Sequence, residues 1–303
     1  MTYTTLLNDA LQLYREDDLD EAYNLLTENM DNFKAIESQL YNFRYAILAK
    51  QGKTSEALEL FREAVMDKML WYDYDYLMHD DDLKLLYNHP KFITLADICK
   101  ERSEKYKHVT IGKLHIQNKK DTQQPLLMAL HGNEENYQVI KDVWAQESTK
   151  DILITYPESS VAAFANAYIW NNPTDRCKEI KVHFDYIKNQ HNITDDIIIS
   201  GFSAGAGVAL ESIINGAIPA NKLVLLSPWL PNLEHIKEKL YLLKDTKVFL
   251  ACGDKDTNCF NMMNQLASYL DDLNIPYKKE IFNDKVHEYP EDMNGFLERI
   301  LKY

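Results

Sequence analysis

The sequence lacks the patterns that mark disulfide-bonded, metal-binding and membrane-spanning proteins. Its 303 residues include four cysteines, and none of them forms a C-x-x-C pair. Cys252 and Cys259 have no nearby histidines at a familiar zinc spacing, so we expect free thiols in a reducing compartment and no bound metal. No apolar run approaches the roughly 18–20 residues that cross a bilayer, and no basic stretch precedes an apolar core at the N-terminus. These absences favour a cytoplasmic protein.

Basic residues are also few relative to acidic ones. The chain has 33 Lys and Arg against 47 Asp and Glu, which gives a formal net charge of −14 at pH 7. Nucleic acids and anionic membrane surfaces bind proteins through basic patches, so we expect neither as a partner. A hydrophobic content of 46% supports a substantial core, in one large domain or two ordinary ones.

The first third of the chain has the apolar periodicity of amphipathic helices. Ala22 and Ala57 take equivalent places in two helical pairs, at a spacing close to the tetratricopeptide period of about 34 residues. The segment Gly52-x-x-x-x-Ala57-x-x-x-Phe61-x-x-Ala64 resembles the second half of such a repeat. That resemblance implies a face that binds a protein or peptide partner. The alternative is a generic antiparallel helical bundle.

From about residue 107 the pattern changes to alternating strands and helices. Apolar runs at 126–130, 152–155, 196–199, 223–226 and 248–251, with a last strand at 277–282, predict a parallel sheet, and residues 109–116 predict an early strand or hairpin. Helical segments fall between these runs, so we predict an α/β fold whose mostly parallel sheet carries helices on both faces. We expect an all-α domain with its connector over residues 1–105 and the α/β domain over residues 106–303.

One stretch organises the second domain. The pentapeptide Gly201-Phe202-Ser203-Ala204-Gly205 falls between a predicted strand and a predicted helix. A G-x-S-x-G sequence in that context is the nucleophile-elbow signature, in which a sharp turn projects the serine hydroxyl above the sheet. The helix N-terminus then offers the N–H of Ala204 to a developing oxyanion. The alternative is a glycine-rich turn that contains a serine by chance.

A nucleophilic serine needs a base and an orienting acid. Only His235 and His287 follow Ser203 in the chain. His235 lies in an exposed amphipathic segment, whereas His287 follows the last predicted strand, at the sheet edge where open α/β folds place their sites. We therefore favour His287. Asp254 and Asp256 both follow the preceding strand, and either carboxylate could orient the imidazole.

Four motifs in this order resemble those of a known superfamily. They are His131-Gly132, Gly201-Phe202-Ser203-Ala204-Gly205, Gly253-x-x-Asp256 and Val286-His287-Glu288-Tyr289-Pro290. Each follows a predicted strand. Residues from about 107 to 303 accordingly resemble an α/β-hydrolase, close to the small carboxylesterase and dienelactone-hydrolase-like group.

The resemblance implies serine hydrolysis of a small carboxylic ester through an acyl-enzyme. Ser203 attacks the carbonyl with His287 as base, and the Gly-x-x-Asp pattern selects Asp256 as the orienting acid. The N–H groups of Ala204 and Asn133 bind the oxyanion. No metal or organic cofactor is needed.

The sequence is also compatible with other interpretations of these residues. Trp170 and Trp229 could line the substrate pocket, or they could be packed loop aromatics. The same triad also serves peptidases and thioesterases. A third possibility is a non-catalytic scaffold that binds a protein partner through the helical repeats, and it is supported by the absence of a second or third glycine in the loop at Asn133.

Overall fold

Twelve α-helices and nine strands build two units, which the computed structural model describes over all 303 residues. The first unit comprises Met1–Val109 and Val161–Tyr168, and the second comprises Thr110–Ser160 and Ile169–Tyr303. The domain boundary predicted at residues 105 and 106 stays a prediction. The excursion of Val161–Tyr168 into the first unit was not predicted.

The first unit is helical, as predicted. Its helices are α1 (Tyr3–Arg15), α2 (Leu19–Glu28), α3 (Glu37–Lys50), α4 (Thr54–Arg62), α5 (Tyr74–His79) and α6 (Pro90–Glu104). The hydroxyl of Thr2 caps α1, and Pro90 opens α6, where its missing N–H costs no helical hydrogen bond. The tetratricopeptide-like character of these helices stays a prediction.

Aromatic rings fill the centre of the first unit. The ring of Phe61 lies 5.0 Å from that of Tyr45 and 5.2 Å from that of Phe92, centroid to centroid. Tyr72 meets Tyr45 edge-on at 5.5 Å. Such tilted and edge-on pairs add to the stabilisation that burial of the rings already provides.

A short hairpin completes this unit. It consists of β4 (Ala162–Phe164) and β5 (Ala167–Tyr168). The N–H of Ala165 donates to the carbonyl of Trp71 at 2.9 Å, and the ring of Phe164 lies 6.0 Å from that of Tyr72. Strands of two and three residues are too short to show an alternating pattern in sequence, which is why the hairpin was missed.

The second unit contains a seven-stranded sheet. Its strands are β1 (Leu114–Gln117), β2 (Gln124–Leu130), β3 (Leu153–Pro157), β6 (Ile193–Phe202), β7 (Lys222–Leu226), β8 (Lys247–Gly253) and β9 (Tyr277–Phe282). They are arranged in the order β1-β3-β2-β6-β7-β8-β9. Only β1 runs antiparallel to its neighbour, so the predicted mostly parallel sheet is confirmed.

Helices alternate with these strands, as the sequence predicts. They are α7 (Tyr137–Trp144), α8 (Pro173–Gln190), α9 (Ala204–Ile214), α10 (Leu233–Ile236), α11 (Thr257–Asp272) and α12 (Met293–Lys302). In the region predicted as an early strand or hairpin, one strand forms, β1. The N–H of Gly112 donates to the Glu179 carboxylate at 2.5 Å instead of to a partner strand. No helix in the chain combines the length and the apolar character needed to cross a lipid bilayer.

Replacement of Phe61 by alanine tests the aromatic core of the helical unit. The fully buried ring contacts three other aromatic rings, so we expect Phe61→Ala to lower the free energy of unfolding by about 3–5 kcal/mol. Leu85→Ala is the control, because that side chain is 55% exposed and should cost about 0.5 kcal/mol or less. Urea unfolding followed by circular dichroism measures both, and equal losses would contradict this account of the core.

Candidate active site

Ser203 occupies a strained turn between β6 and α9. Its backbone angles are φ 55° and ψ −122°, a conformation that costs a residue with a side chain on the order of 1–3 kcal/mol. Its N–H donates to the carbonyl of Leu226 at 3.0 Å, and its carbonyl accepts from the N–H of Trp229 at 3.0 Å. These bonds to the end of β7 and to the following loop hold the turn in the geometry of a nucleophile elbow.

Gly205 lets the elbow lie directly against the end of β2. A Cβ atom at this position would lie 2.3 Å from the carbonyl oxygen of His131. Any side chain would therefore force the two segments apart. The absence of a side chain brings the His131-Gly132 loop to the start of α9.

Gly253 does the same for the loops after β8 and β9. A Cβ atom there would lie 2.2 Å from the carbonyl oxygen of Lys285. The same oxygen accepts a hydrogen bond from the N–H of Lys255 at 2.9 Å. The loop that carries Asp256 is thereby packed against the loop that carries His287.

His287 and Asp256 form a close pair across these two loops. The Nδ1 atom of His287 lies 2.5 Å from Oδ2 of Asp256. Burial by itself raises the pKa of Asp256, but the hydrogen bond and positive charge of His287, together with hydrogen bonds from Cys259, outweigh it and leave that pKa below its ordinary value. A carboxylate on Nδ1 assigns proton transfer to the Nε2 atom of the imidazole.

Asp254 has a different partner. Its Oδ1 atom accepts a hydrogen bond from the backbone N–H of Asp284 at 2.8 Å, in the loop after β9. Of the two acids that the sequence left open, the structure brings Asp256 to the imidazole and Asp254 to the backbone.

Phe202 connects the imidazole to the elbow. Its ring centroid lies 4.7 Å from that of His287 and 4.0 Å from that of Tyr289. Because Phe202 immediately precedes Ser203, these contacts hold the histidine loop beside the strained turn.

The two predicted oxyanion donors lie on either side of the Gly205 contact. Ala204 is the first residue of α9, so its N–H has no partner within the helix. Asn133 is exposed in the turn after β2, where its Oδ1 atom accepts from the N–H of Trp170 at 2.8 Å. The N–H of Gly132 donates to Oε2 of Glu135 at 2.7 Å, which fixes the other side of this turn.

His131 stabilises this loop through hydrogen bonds and stays uncharged. Its Nε2 atom accepts from the N–H of Ser159 at 3.1 Å, so the proton sits on Nδ1, which lies 2.6 Å from the carbonyl of Gly132. Burial lowers the pKa of His131 to about 4, which keeps the ring neutral at physiological pH.

The two candidate pocket tryptophans differ in exposure. Trp170 is 3% exposed, stacks on His131 at 4.6 Å and donates its indole N–H to the carbonyl of that residue at 2.6 Å. Trp229 is 39% exposed and lies in the loop after β7. Trp170 thus supports the loop, while Trp229 contacts Ser203 through its backbone N–H and leaves its ring partly exposed. Their roles as substrate contacts stay predictions.

The sequence analysis assigns no role to Glu135 or to Tyr289, although Tyr289 belongs to the histidine motif. Glu135 is buried, and its Oε2 atom also accepts from the Tyr289 hydroxyl at 3.1 Å. Burial raises the pKa of Glu135 to about 8, so this side chain is a neutral acid at neutral pH. It ties the Gly132 turn to the histidine loop. The one signal in the sequence was a carboxylate between a buried strand and the amphipathic helix α7.

One group of side chains could hold a metal ion, and it includes the pair of Asp256 and His287. Asp256, Cys259 and His287 each offer a ligand atom, and these atoms lie within 4.8 Å of one another. Burial and the charge of Asp256 raise the pKa of the Cys259 thiol, so that ligand would first have to lose a tightly held proton. A metal here would also displace the hydrogen bond between Asp256 and His287.

Two known protein families match parts of this chain. Residues 2–107 match the family described as A/B hydrolase-like, N-terminal domain, and residues 175–303 match the Phospholipase/Carboxylesterase family. The chain belongs to the α/β-hydrolase superfamily. The resemblance of the second domain to an α/β-hydrolase is therefore confirmed.

Several solved structures are similar to this chain. An uncharacterized protein from Bacillus cereus ATCC 10987 is 33% identical, with 100% of this chain and 99% of that chain covered and a TM-score of 0.57. Zea mays acyl-protein thioesterase 2 is 15% identical over 63% of this chain and 98% of its own, with a TM-score of 0.52. A phospholipase/carboxylesterase from Dyadobacter fermentans DSM 18053 is 15% identical over 63% and 97%, with a TM-score of 0.51. At such identities the last two show the fold alone. No curated protein matches the chain in sequence.

The buried Glu135 of this α/β-hydrolase predicts a pH-dependent stability. Its pKa rises from 4.5 to about 8 on folding, so the folded state holds a proton that the unfolded state releases, and stability falls as pH rises through this range. Glu135→Gln removes this titration while keeping the shape. We therefore expect the stability of Glu135→Gln relative to wild type to increase between about pH 5 and about pH 8.

Urea unfolding at several pH values measures the difference. Glu134→Gln is the matched control, because its side chain is exposed and adjacent in sequence. Parallel pH dependence in wild type and Glu135→Gln would show that Glu135 does not hold its proton in the folded protein.

Proposed function

We propose that the chain is a serine hydrolase that cleaves a small carboxylic ester through an acyl-enzyme on Ser203. The observation that carries this proposal is the pair of Asp256 and His287, held by Phe202 beside the strained Ser203 turn. A nucleophile, a base and an orienting acid at one sheet edge are the parts that acyl transfer requires.

In the first half-reaction the Ser203 hydroxyl attacks the ester carbonyl. The Nε2 atom of His287 takes the hydroxyl proton as the new C–O bond forms, and the carbonyl π electrons move onto oxygen. The backbone N–H groups of Ala204 and Asn133 stabilise this oxyanion, aided by the positive end of α9. When the intermediate collapses, His287 returns the proton to the departing alkoxide.

In the second half-reaction water replaces the alcohol. His287 removes a proton from the water as it attacks the acyl carbon, and the proton then returns to the Ser203 oxygen as the acid leaves. Asp256 stabilises the imidazolium in both halves. Its lowered pKa supports this role, because the carboxylate stays ionised at the pH where the imidazole must accept a proton.

A thioester is the second candidate substrate. The geometry of Ser203, His287 and Asp256 serves thioesters equally, and one protein of the same fold is Zea mays acyl-protein thioesterase 2. A peptidase using the same triad and a non-catalytic scaffold that binds a protein partner through the helical unit are the remaining alternatives. Four free, buried thiols support a reducing compartment, and we place the activity in the cytoplasm as part of this proposal.

Labelling with a fluorophosphonate probe tests the nucleophile. We expect wild type to be labelled and Ser203→Ala to be silent, because the probe bonds to an activated serine hydroxyl. Ser200→Ala is the matched control: it lies on the same strand, and its buried hydroxyl bonds to the carbonyl of Met128 at 3.3 Å. Labelling that survives in folded Ser203→Ala, or a folded wild type that does not label, would refute the assignment.

A pair of aspartate variants tests the acid. Asp256→Asn removes the charge that orients His287 and stabilises its cation, so we expect kcat for p-nitrophenyl acetate to fall by about 10⁴-fold. Asp254→Asn alters one hydrogen bond to the backbone of Asp284 and should change kcat by about tenfold or less. If Asp254→Asn is the more damaging change, the acid has been misassigned.

A further inference from the structure

A polar cavity in the helical unit lies outside the proposed reaction. It has a volume of about 520 Å³ and is lined by residues of α2, of α3, of the segment between them and of the segment after α4. The lining includes the three cationic side chains Lys34, Arg44 and Lys68. Its size lies within the range of about 300–1,000 Å³ found for small-molecule sites.

Arg44 is the buried cation of this cavity. It is 9% exposed, and its guanidinium carbon lies 5.3 Å from the ring centroid of Tyr23 and 5.6 Å from that of Tyr41. The Nε atom donates to the hydroxyl of Thr27 at 2.9 Å, and Nη2 lies 3.5 Å from the Tyr23 hydroxyl. The fork of the guanidinium is therefore held in one orientation.

No carboxylate lies in direct contact with this guanidinium. Arg44 forms no ion pair with an Asp or Glu, and its Nη1 atom forms no hydrogen bond within the protein. Removal of a cation from water is unfavourable unless a partner anion or hydrogen bonds replace the lost hydration. Two aromatic rings and two hydroxyls replace part of the lost hydration. The Nη1 atom can still donate hydrogen bonds to an anion.

The remaining charges of the cavity set the charge of that anion. Lys68 pairs with Glu37 at 2.6 Å, and Lys34 lies 4.0 Å from Asp31 at the exposed rim. Within each pair the charges cancel, so Arg44 leaves the lining residues with one net positive charge, and the nearby Glu63 carboxylate, which is outside the lining, accepts a hydrogen bond from the Tyr41 hydroxyl. A single negative charge matches it.

We propose that this cavity binds a small organic carboxylate, with Arg44 as the residue that anchors the carboxylate group. A planar guanidinium fork matches a planar carboxylate through two parallel N–H···O bonds. Tyr41 and Met30 line the same cavity and offer apolar contact to the rest of such a ligand. This site is independent of the proposed hydrolase chemistry.

Nuclear magnetic resonance of the full chain, labelled with ¹⁵N at arginine, tests the proposal. Propionate is the probe and propionamide is its neutral match, at constant pH and ionic strength. We expect propionate to shift the side-chain Nε–H signal of Arg44 saturably and propionamide to leave it unchanged. Inorganic phosphate is titrated separately, to compare its affinity with that of propionate.

Variants separate the anchor from general charge effects. Arg44→Gln should weaken propionate binding by roughly 10- to 100-fold, the loss expected for a charge-assisted hydrogen-bonded pair. Arg62→Gln is the matched control and should bind as wild type, because that guanidinium is exposed and already pairs with Glu59 and Asp67. If Arg44→Gln fails to fold, Arg44→Lys keeps the positive charge but loses the planar fork, and it should still bind propionate more weakly than wild type.

Three outcomes would overturn the proposal. They are an Arg44 signal that does not respond to propionate, an equal response to propionamide, and tighter binding of phosphate than of propionate. The first would mean that Arg44 serves packing alone, and the last that the cavity selects a different anion.

Discussion

Contact of backbone against backbone at the carboxyl edge of the sheet is the constraint on which the site depends. At Gly205 a Cβ atom would come within 2.3 Å of the His131 carbonyl oxygen, and at Gly253 within 2.2 Å of that of Lys285. Segments at or just after the ends of four strands, β2, β6, β8 and β9, therefore meet in two pairs without side chains between them. This closeness lets Ser203 and the loops of Asp256 and His287 share one edge of the sheet, as the proposed acyl transfer requires.

Burial then decides which groups near the elbow carry charge. His131 is neutral because its pKa is lowered to about 4, and Glu135 is neutral at pH 7 because its pKa is raised to about 8. Asp256, whose pKa is lowered, is the buried anion beside the imidazole of His287. A single anion at Nδ1 favours proton uptake at Nε2, and the two neutral groups support the turn that carries the proposed oxyanion donor Asn133.

The sequence predicted the parts of this arrangement that depend on local pattern. Buried parallel strands are continuous apolar runs, and the turn at Ser203 has its own signature, so both were visible. The choice between Asp254 and Asp256 was not decidable from the residues alone, because it depends on which way the loop turns after β8. The role of Glu135 was hidden for a similar reason: its partners Gly132 and Tyr289 meet only when the sheet has formed.

The most direct test of the account is to trap the acyl-enzyme. The protein is mixed with p-nitrophenyl acetate, stopped with acid before the steady state, digested and sequenced by tandem mass spectrometry. We expect a burst of p-nitrophenol with about one acetyl group per chain, carried by the peptide that contains Ser203. Acetyl groups on another residue, or a folded protein that forms no adduct and releases no burst, would contradict it.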